Sequence, residues 1–129
     1  MIVRQPKDVD SQIMQMPGAK DVSMQLMIGR EDKAPNFAMR LFTVHPGGHT
    51  PLHTHNYEHE VMIVEGKAEA ISGEDGSIST PVSAGDVVLV LPNEMHQFKN
   101  NSDAIMKFMC LVPVKFDCGK GECKITPGS

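Results

Sequence analysis

Short runs of apolar or alternating residues, separated by turn-forming residues, occupy the chain from about residue 20 to residue 112. Seven such runs are candidate strands: residues 22–28, 37–44, 60–64, 67–72, 78–82, 87–91 and 105–112. Gly, Pro, Asn and Asp lie between them, and strands that follow one another at this spacing are typical of a sandwich or a barrel. Because no segment shows a long, capped 3.6-residue period, we predict an all-β single domain.

The two ends of the chain differ from this pattern. Residues 1–20 lack a strand pattern and are expected to form an N-terminal strap, with one turn of helix at 10–16. The tail from residue 115 is rich in Gly, Lys and Cys and ends in Pro-Gly-Ser. We therefore predict a strap at 1–20, a β-barrel at 21–114 and a C-terminal tail at 115–129.

The length and net charge of the chain limit the classes of partner that it is expected to bind. The chain has 129 residues, the usual size of one domain, and a net charge of −4 without a cluster of Lys or Arg. Nucleic-acid binding needs clustered basic charge, so we expect no nucleic-acid partner. No apolar stretch approaches the ~18 residues that suggest a membrane-spanning helix, and charge and proline interrupt the N-terminal segment before a signal-type region could form. We expect a cytoplasmic protein with no membrane partner.

Sulfur-bearing residues are the unusual part of the composition. The three cysteines, Cys110, Cys118 and Cys123, are an odd number, which argues against a disulfide framework. Cys118 and Cys123 could be a reduced pair, a redox pair or part of a second metal site, and the sequence leaves these alternatives open. The ten methionines could fill a barrel interior or line a permissive pocket, because Met adapts to irregular gaps.

Histidines are the candidate functional residues of the chain. In a strand, alternate side chains share a face, so His53 and His55 are expected to point the same way. After the break at Asn56, the side chain of His59 shares a face with Val61, which is expected to face the barrel interior. A fourth histidine, His96, begins a run that follows a second Gly- and Pro-bounded strand, and its imidazole could close the site.

Several imidazoles on adjacent strands suit one divalent metal ion. Neutral imidazole is a common ligand of first-row metals, and four nitrogen ligands leave open positions for a substrate. We predict a mononuclear site formed by His53, His55, His59 and His96. The alternative is that these are unrelated loop and surface histidines.

Two motifs resemble those of the cupin superfamily. The first reads Gly, five residues, His-x-His, three or four residues, Glu, six residues, Gly, and is matched by Gly47, His53, His55 and Gly66. The second reads Gly, five residues, Pro-x-Gly, two residues, His, three residues, Asn, and is matched by Gly85, His96 and Asn100. The resemblance covers roughly residues 22–113.

The chain departs from these motifs at two places. His59 stands where the family usually has its glutamate ligand, as in small bacterial cupins with four histidine ligands. A rival alignment makes Glu60 the ligand, but strand alternation directs Glu60 to the opposite face. In the second motif, Leu91 and Asn93 replace Pro and Gly, and Asn tolerates the positive φ that such a turn needs.

The resemblance implies a cupin jelly-roll β-barrel with one divalent transition metal: Mn, Fe, Ni, Cu or Zn. It also implies that the late strand lines the metal cavity and that the protein is a homodimer. Arg40, the one charge within residues 37–44, could hold an anionic or oxygen-bearing ligand at the cavity wall. The candidate pocket-lining residues are Arg40, Val61, Phe98, Phe108 and Cys110.

Three classes of function fit this site. The first is a dioxygenase-like oxidoreductase that acts on a small organic substrate. The second is an isomerase or lyase in which the ion is only a Lewis acid. The third is a non-catalytic module that binds a small ligand or a metal, since the fold alone does not decide among them.

Overall fold

The computed structural model describes residues 1–117, which form nine β-strands and three short 3₁₀ turns. The strands are β1 (Gln12–Ile13), β2 (Lys20–Ile28), β3 (Phe37–His49), β4 (His59–Glu65), β5 (Lys67–Ser72), β6 (Ile78–Ser83), β7 (Val87–Val90), β8 (His96–Lys99) and β9 (Met106–Pro113). The 3₁₀ turns are Pro6–Asp8, Arg30–Asp32 and Val114–Phe116. None of the helical segments in residues 1–117 is long and apolar enough to cross a membrane.

All nine strands belong to one antiparallel sheet that curls into a jelly-roll half-barrel. The order is β6-β5-β8-β3-β9-β4-β7, and β2, with β1 at its edge, adds to β3. The long strand β3 is central, because it pairs with β2 and β9 along most of its length and with β8 through His49. The prediction of an all-β single domain is confirmed.

Strict alternation of side chains builds the interior. Along β9, alternate residues from Met106 to Val112 are buried, and along β4 the buried residues begin with His59. The register pairs Cys110 with Arg40 of β3 on one side and with Val61 of β4 on the other. Three neighbouring strands therefore place these side chains in one row across the inner face of the sheet.

The first twenty residues differ from the sequence prediction. The helical turn expected at 10–16 is wrong, because Gln12–Ile13 is extended and pairs with Met24 and Ser23 of β2. Farther towards the N-terminus, Arg4 forms an ion pair with Asp32 at 2.8 Å. The N-terminal segment thus lies against β2 through backbone pairing. A strand of two residues is too short to give an alternating pattern in the sequence.

The observed end of β3 also differs from the sequence prediction. Strand β3 continues past residue 44 to His49, through Gly47 in a positive-φ conformation. The predicted pair Cys118 and Cys123 lies outside the described residues. The last described residue, Asp117, is fully buried and binds Arg30 through its carboxylate, with a 2.8 Å contact to the guanidinium nitrogen Nη2.

Candidate metal centre

The side chains of His53, His55 and His96 converge in the wall of one cavity. Their candidate ligand atoms all lie within 4.8 Å of one another, which is close enough to hold one metal ion. The convergence comes from a backbone bridge: the amide of His96 donates to the carbonyl of His53 at 3.1 Å, and the reverse bond is 3.3 Å. Apart from this bridge, residues 50–58 form no regular strand, so strand alternation is not what aligns His53 with His55.

His59 adds a fourth imidazole beside these three. It is the first residue of β4, it is buried, and its ring stacks on that of His55 with 4.1 Å between centroids. Their Nε2 atoms face each other in contact. Glu60, the rival ligand, is exposed on the opposite face of the strand. His59 is not one of the three residues whose ligand atoms share the 4.8 Å limit, so its ligand role stays a prediction.

Backbone carbonyls orient two of the rings. The Nδ1 of His55 lies 3.0 Å from the Tyr57 carbonyl, and that of His96 lies 2.9 Å from the Glu94 carbonyl. A carbonyl can only accept, so Nδ1 carries the proton in both rings and Nε2 keeps its lone pair. Such an arrangement is typical of metal-binding histidines, since it fixes the ring and its tautomer.

Burial keeps the imidazoles neutral. It lowers the pKa of His53 to about 3 and that of His55 to about 4, and the charge of a neighbouring protonated ring adds to the shift. Burial also lowers the pKa of His59 and of His96. Each ring is therefore uncharged at pH 7, the state that binds a metal ion.

The residues present fit a divalent metal ion. The three candidate donors are imidazole nitrogens, which suit Mn, Fe, Ni, Cu and Zn. Their convergence within 4.8 Å and the carbonyls that fix the rings of His55 and His96 are the features that fit an ion.

A largely apolar cavity opens onto the histidines. The space within it that water-sized molecules can occupy is about 50 Å³. All five of the residues predicted to line a pocket lie in its wall: Arg40, Val61, Phe98, Phe108 and Cys110. The Arg40 side chain is buried and lies over the ring of Phe42, 5.1 Å from its centroid.

Sequence reasoning missed several residues of the cavity wall. Met14 and Met16 come from the N-terminal segment, and Tyr57 comes from the loop before β4. The two methionines are two residues apart and so share a face in extended chain, which was the available signal. The ring of Tyr57 stacks between His55, at 4.0 Å, and Phe116, at 3.9 Å between centroids.

One thiol lies within the histidine cluster. Cys110 is buried, with its Sγ 2.8 Å from the Nδ1 of His59 and 3.6 Å from the Nη2 of Arg40. Burial raises the pKa of this thiol, so it is protonated at neutral pH. Asn93, in the loop before His96, takes the positive φ of 67° that was predicted for the turn.

Two characterised bacterial proteins are similar in sequence. The chain is 35% identical over 79 residues to 1-methylthio-D-xylulose 5-phosphate methylsulfurylase of Rhodospirillum rubrum; the match covers 61% of this chain but only about half, 49%, of that protein. It is 28% identical over 116 residues to the oxalate-binding protein of Thermotoga maritima, covering 87% and 93% of the two chains.

Solved structures agree with this similarity. The polyketide cyclase RemF from Streptomyces resistomycificus superimposes with a TM-score of 0.83 at 29% identity, over 88% of this chain and 80% of that one. Residues 40–112, more than half of the chain, match the family model of the Cupin domain, Cupin_2. With a jelly-roll barrel and a histidine cluster in its interior, the chain belongs to the cupin family.

Proposed function

We propose that this protein is a metal-dependent enzyme in which His53, His55, His59 and His96 hold one divalent ion. The observation that carries the proposal is the cluster of buried and half-buried, neutral imidazoles in the wall of an apolar cavity. Two of the rings are held by backbone carbonyls, so the protein orients its donors before an ion arrives.

The cavity wall favours a small, largely apolar substrate that carries an oxygen atom. Phe42, Phe98 and Phe108 provide flat apolar surface, which excludes water and suits an aromatic or enolic molecule. The Arg40 guanidinium lies in the same wall and would bind a carboxylate or another anionic oxygen. The substrate would therefore place its apolar body on the aromatic rings and its oxygen between Arg40 and the histidines.

Chemistry at this site must come largely from the ion. Among the described residues of the cavity wall, none carries a carboxylate that could act as a general base. A bound ion would polarise an oxygen atom of the substrate as a Lewis acid, and a redox-active ion would also bring dioxygen into the reaction. The first reaction class that we propose is a dioxygenase-like oxidation.

A second candidate is a Lewis-acid isomerisation, cyclisation or elimination. It is favoured by the names of the similar proteins, a polyketide cyclase and a methylsulfurylase. Here the side chains would do the same work of binding and orienting, and dioxygen would have no part. A non-catalytic ligand-binding module is the third candidate, and the similarity to an oxalate-binding protein supports it.

Metal reconstitution and oxygen uptake test these alternatives. The metal-free protein would be loaded separately with Fe²⁺, Mn²⁺, Ni²⁺, Cu²⁺ or Zn²⁺ and given phenolic and enolisable substrates with and without dioxygen. Oxygen uptake with a redox-active ion alone supports the dioxygenase-like class, and turnover with Zn²⁺ in the absence of dioxygen supports the second class. Binding of a metal ion and a substrate without turnover supports the non-catalytic binding module.

A matched pair of variants ties the result to the cluster. His96→Ala removes one proposed ligand and is expected to weaken metal binding severely, whereas His45→Gln removes an exposed histidine outside the cavity. Equal metal binding by both variants, measured by elemental analysis after dialysis, would contradict the proposed site.

We also propose that the protein is a homodimer. Strand β7 ends the sheet, since within residues 1–117 it pairs with β4 alone and has no strand on its other side. An open strand edge is a natural place for a second copy to pair. Sedimentation velocity would test this proposal, and a monomer at micromolar concentration would reject it.

A further inference from the structure

The cavity beside the histidines is too narrow for the substrates proposed above. The space within it that water-sized molecules can occupy is about 50 Å³. An apolar protein cavity that admits benzene measures about 150 Å³. A phenolic or enolisable molecule therefore fits inside only if part of the wall moves.

Most of the wall belongs to segments that are firmly paired. Strands β3, β4, β8 and β9 each have a neighbouring strand on both sides. The loop of residues 50–57 is also tied down: the amide of Thr50 donates to the carbonyl of Phe98 at 3.0 Å, and the carbonyl of His55 accepts from the amide of Asn93 at 2.7 Å. Moving either part would break several backbone hydrogen bonds at once, and buried backbone groups seldom go without partners.

The loop between β1 and β2, residues 14–19, is held less firmly. It contributes Met14, Met16 and Ala19 to the cavity wall. Within residues 1–117, one backbone hydrogen bond joins this loop to the barrel, from the amide of Met14 to the carbonyl of Val22 at 2.8 Å. The bond from Ala19 to Met16, at 3.1 Å, lies inside the loop. A segment with so few contacts opens at a lower free-energy cost than a paired strand does.

Both flanks of the loop are anchored, so it can open without releasing the rest of the N-terminal segment. Before it, Gln12 and Ile13 pair with β2, and the side-chain amide of Gln25 donates to the carbonyls of Pro6, at 2.7 Å, and Val9, at 3.0 Å. After it, β2 is paired with β3. Loops that close over a binding site have such fixed points at their ends.

The side chains on the inner face of the loop suit an adjustable wall. Met14 and Met16 are half-buried and line the cavity, whereas Gln15 between them is exposed. An unbranched thioether side chain has three rotatable bonds and can repack around ligands of different shape. The apolar body of a bound molecule would therefore contact both methionines.

We propose that residues 14–19 form the movable wall of the cavity and that Met14 and Met16 determine the size of the molecule that it admits. The favoured ligand is a flat, apolar molecule of one ring that carries a hydroxyl group, because the closed cavity is small. The inference rests on the proposed function for this class of ligand. It depends on neither the metal ion nor the reaction, since neither methionine is a proposed ligand of the ion.

Hydrogen exchange of the wild-type protein tests the movement without any ligand. Opening of the loop breaks the bond from the Met14 amide to Val22. After correction for intrinsic rates, we expect this amide to exchange at least about 100-fold faster than the amides of the central strand β9. Equal protection of Met14 and β9 would mean that the loop opens only when the barrel unfolds, and would overturn the inference.

The second measurement compares the binding of phenol and 2-naphthol by calorimetry. Both carry one hydroxyl group, so the ratio of their dissociation constants reports the effect of size. We expect the wild type to prefer phenol, and the double variant Met14→Ala, Met16→Ala to shift the ratio towards 2-naphthol by about 10-fold or more, the selectivity that one methylene group gives in an apolar pocket. Met109→Ala is the matched control, since Met109 is also half-buried but lies on the outer face of β9, outside the cavity wall.

The outcomes separate the inference from the proposed function. A wild-type protein that binds no metal ion defeats the proposed function, while exchange at Met14 and the ligand ratio of the metal-free protein still decide the inference. Fast exchange and a shift confined to the double variant support it. An unchanged ratio, an equal shift in Met109→Ala, or a double variant that binds neither molecule overturns it. If the double variant fails to fold, Met16→Ala takes its place, with a shift in the same direction expected and the same results counting against it.

Discussion

Asn100, which the second motif contains, is expected to stabilise the barrel without touching the metal site. Its side chain is fully buried, and its amide donates to the carbonyls of Val44, at 2.9 Å, and Ala104, at 2.8 Å. Its carbonyl accepts from the backbone amide of Ser102 at 3.0 Å and from the hydroxyl at 2.6 Å. One side chain thus ties the middle of β3 to the turn that precedes β9.

The substitution Asn100→Ala removes these bonds at once. Val44 is fully buried, so its carbonyl loses this donor where water has little access, at a cost of about 1–3 kcal/mol. Ala104 is exposed, and its carbonyl can bind water instead. The lost bonds to Ser102 add roughly 1 kcal/mol. We therefore expect the free energy of unfolding to fall by about 2–4 kcal/mol.

Urea denaturation of the metal-free protein measures this change. With a slope of about 2 kcal/mol per molar urea, the midpoint should fall by about 1–2 M. Asn101→Ala is the control, because its neighbouring side chain is exposed and should matter by less than about 0.5 kcal/mol. A loss below about 1 kcal/mol for Asn100→Ala would refute the reasoning, since it would mean that the Val44 carbonyl needs no donor.

Three further predictions follow from the site and the turns. Burial lowers the pKa of His53 to about 3 and of His55 to about 4, whereas both are near 6.5 in the unfolded chain. Between these pH values the unfolded chain therefore binds more protons than the folded chain. The urea midpoint of the metal-free protein should fall as the pH drops from about 6.5 to 4 and stay level above about 7. A midpoint unchanged at pH 5 would contradict this. Gly66→Ala should destabilise the protein by more than about 2 kcal/mol in the same assay, because a Cβ would lie 2.5 Å from the Ile105 carbonyl oxygen at a φ of 77°; Gly85→Ala, also at positive φ but with open space around it, should cost less. Arg40→Gln should weaken the binding of benzoate to the metal-loaded protein in calorimetry by about 10-fold or more while leaving phenol unchanged, and an equal effect on both ligands would argue against a charge-specific role.

Alternation of side chains made much of the barrel predictable. The same rule that marked the strands also put His59 on the inner face of β4 and Glu60 on the outer face, where the structure has them. The positive φ at Asn93 was predictable for another local reason, since few residues other than Gly and Asn tolerate it.

Long-range contacts were beyond the reach of the sequence. His53 and His55 lie in a segment with a single bridge, and it is pairing with His96, 43 positions further along the chain, that brings the rings together. Likewise, Phe116 reaches Tyr57 only because the chain folds back after β9. Neither contact leaves a periodic signal, because each depends on where distant strands meet.

Some sequence predictions stay predictions. They include the boundaries of the strap at 1–20, the barrel at 21–114 and the tail at 115–129, as well as the cytoplasmic location. The roles of Cys118 and Cys123 also stay open, because both lie outside residues 1–117.

The stacking of Tyr57 on His55 has a practical consequence. The chain has one Tyr and no Trp, so its ultraviolet emission above 300 nm comes from that single ring. This ring lies face to face with a proposed metal ligand, 4.0 Å away between centroids. Occupancy of the cluster by a paramagnetic ion should quench the emission, so the unlabelled protein carries its own optical reporter of whether the histidines are filled.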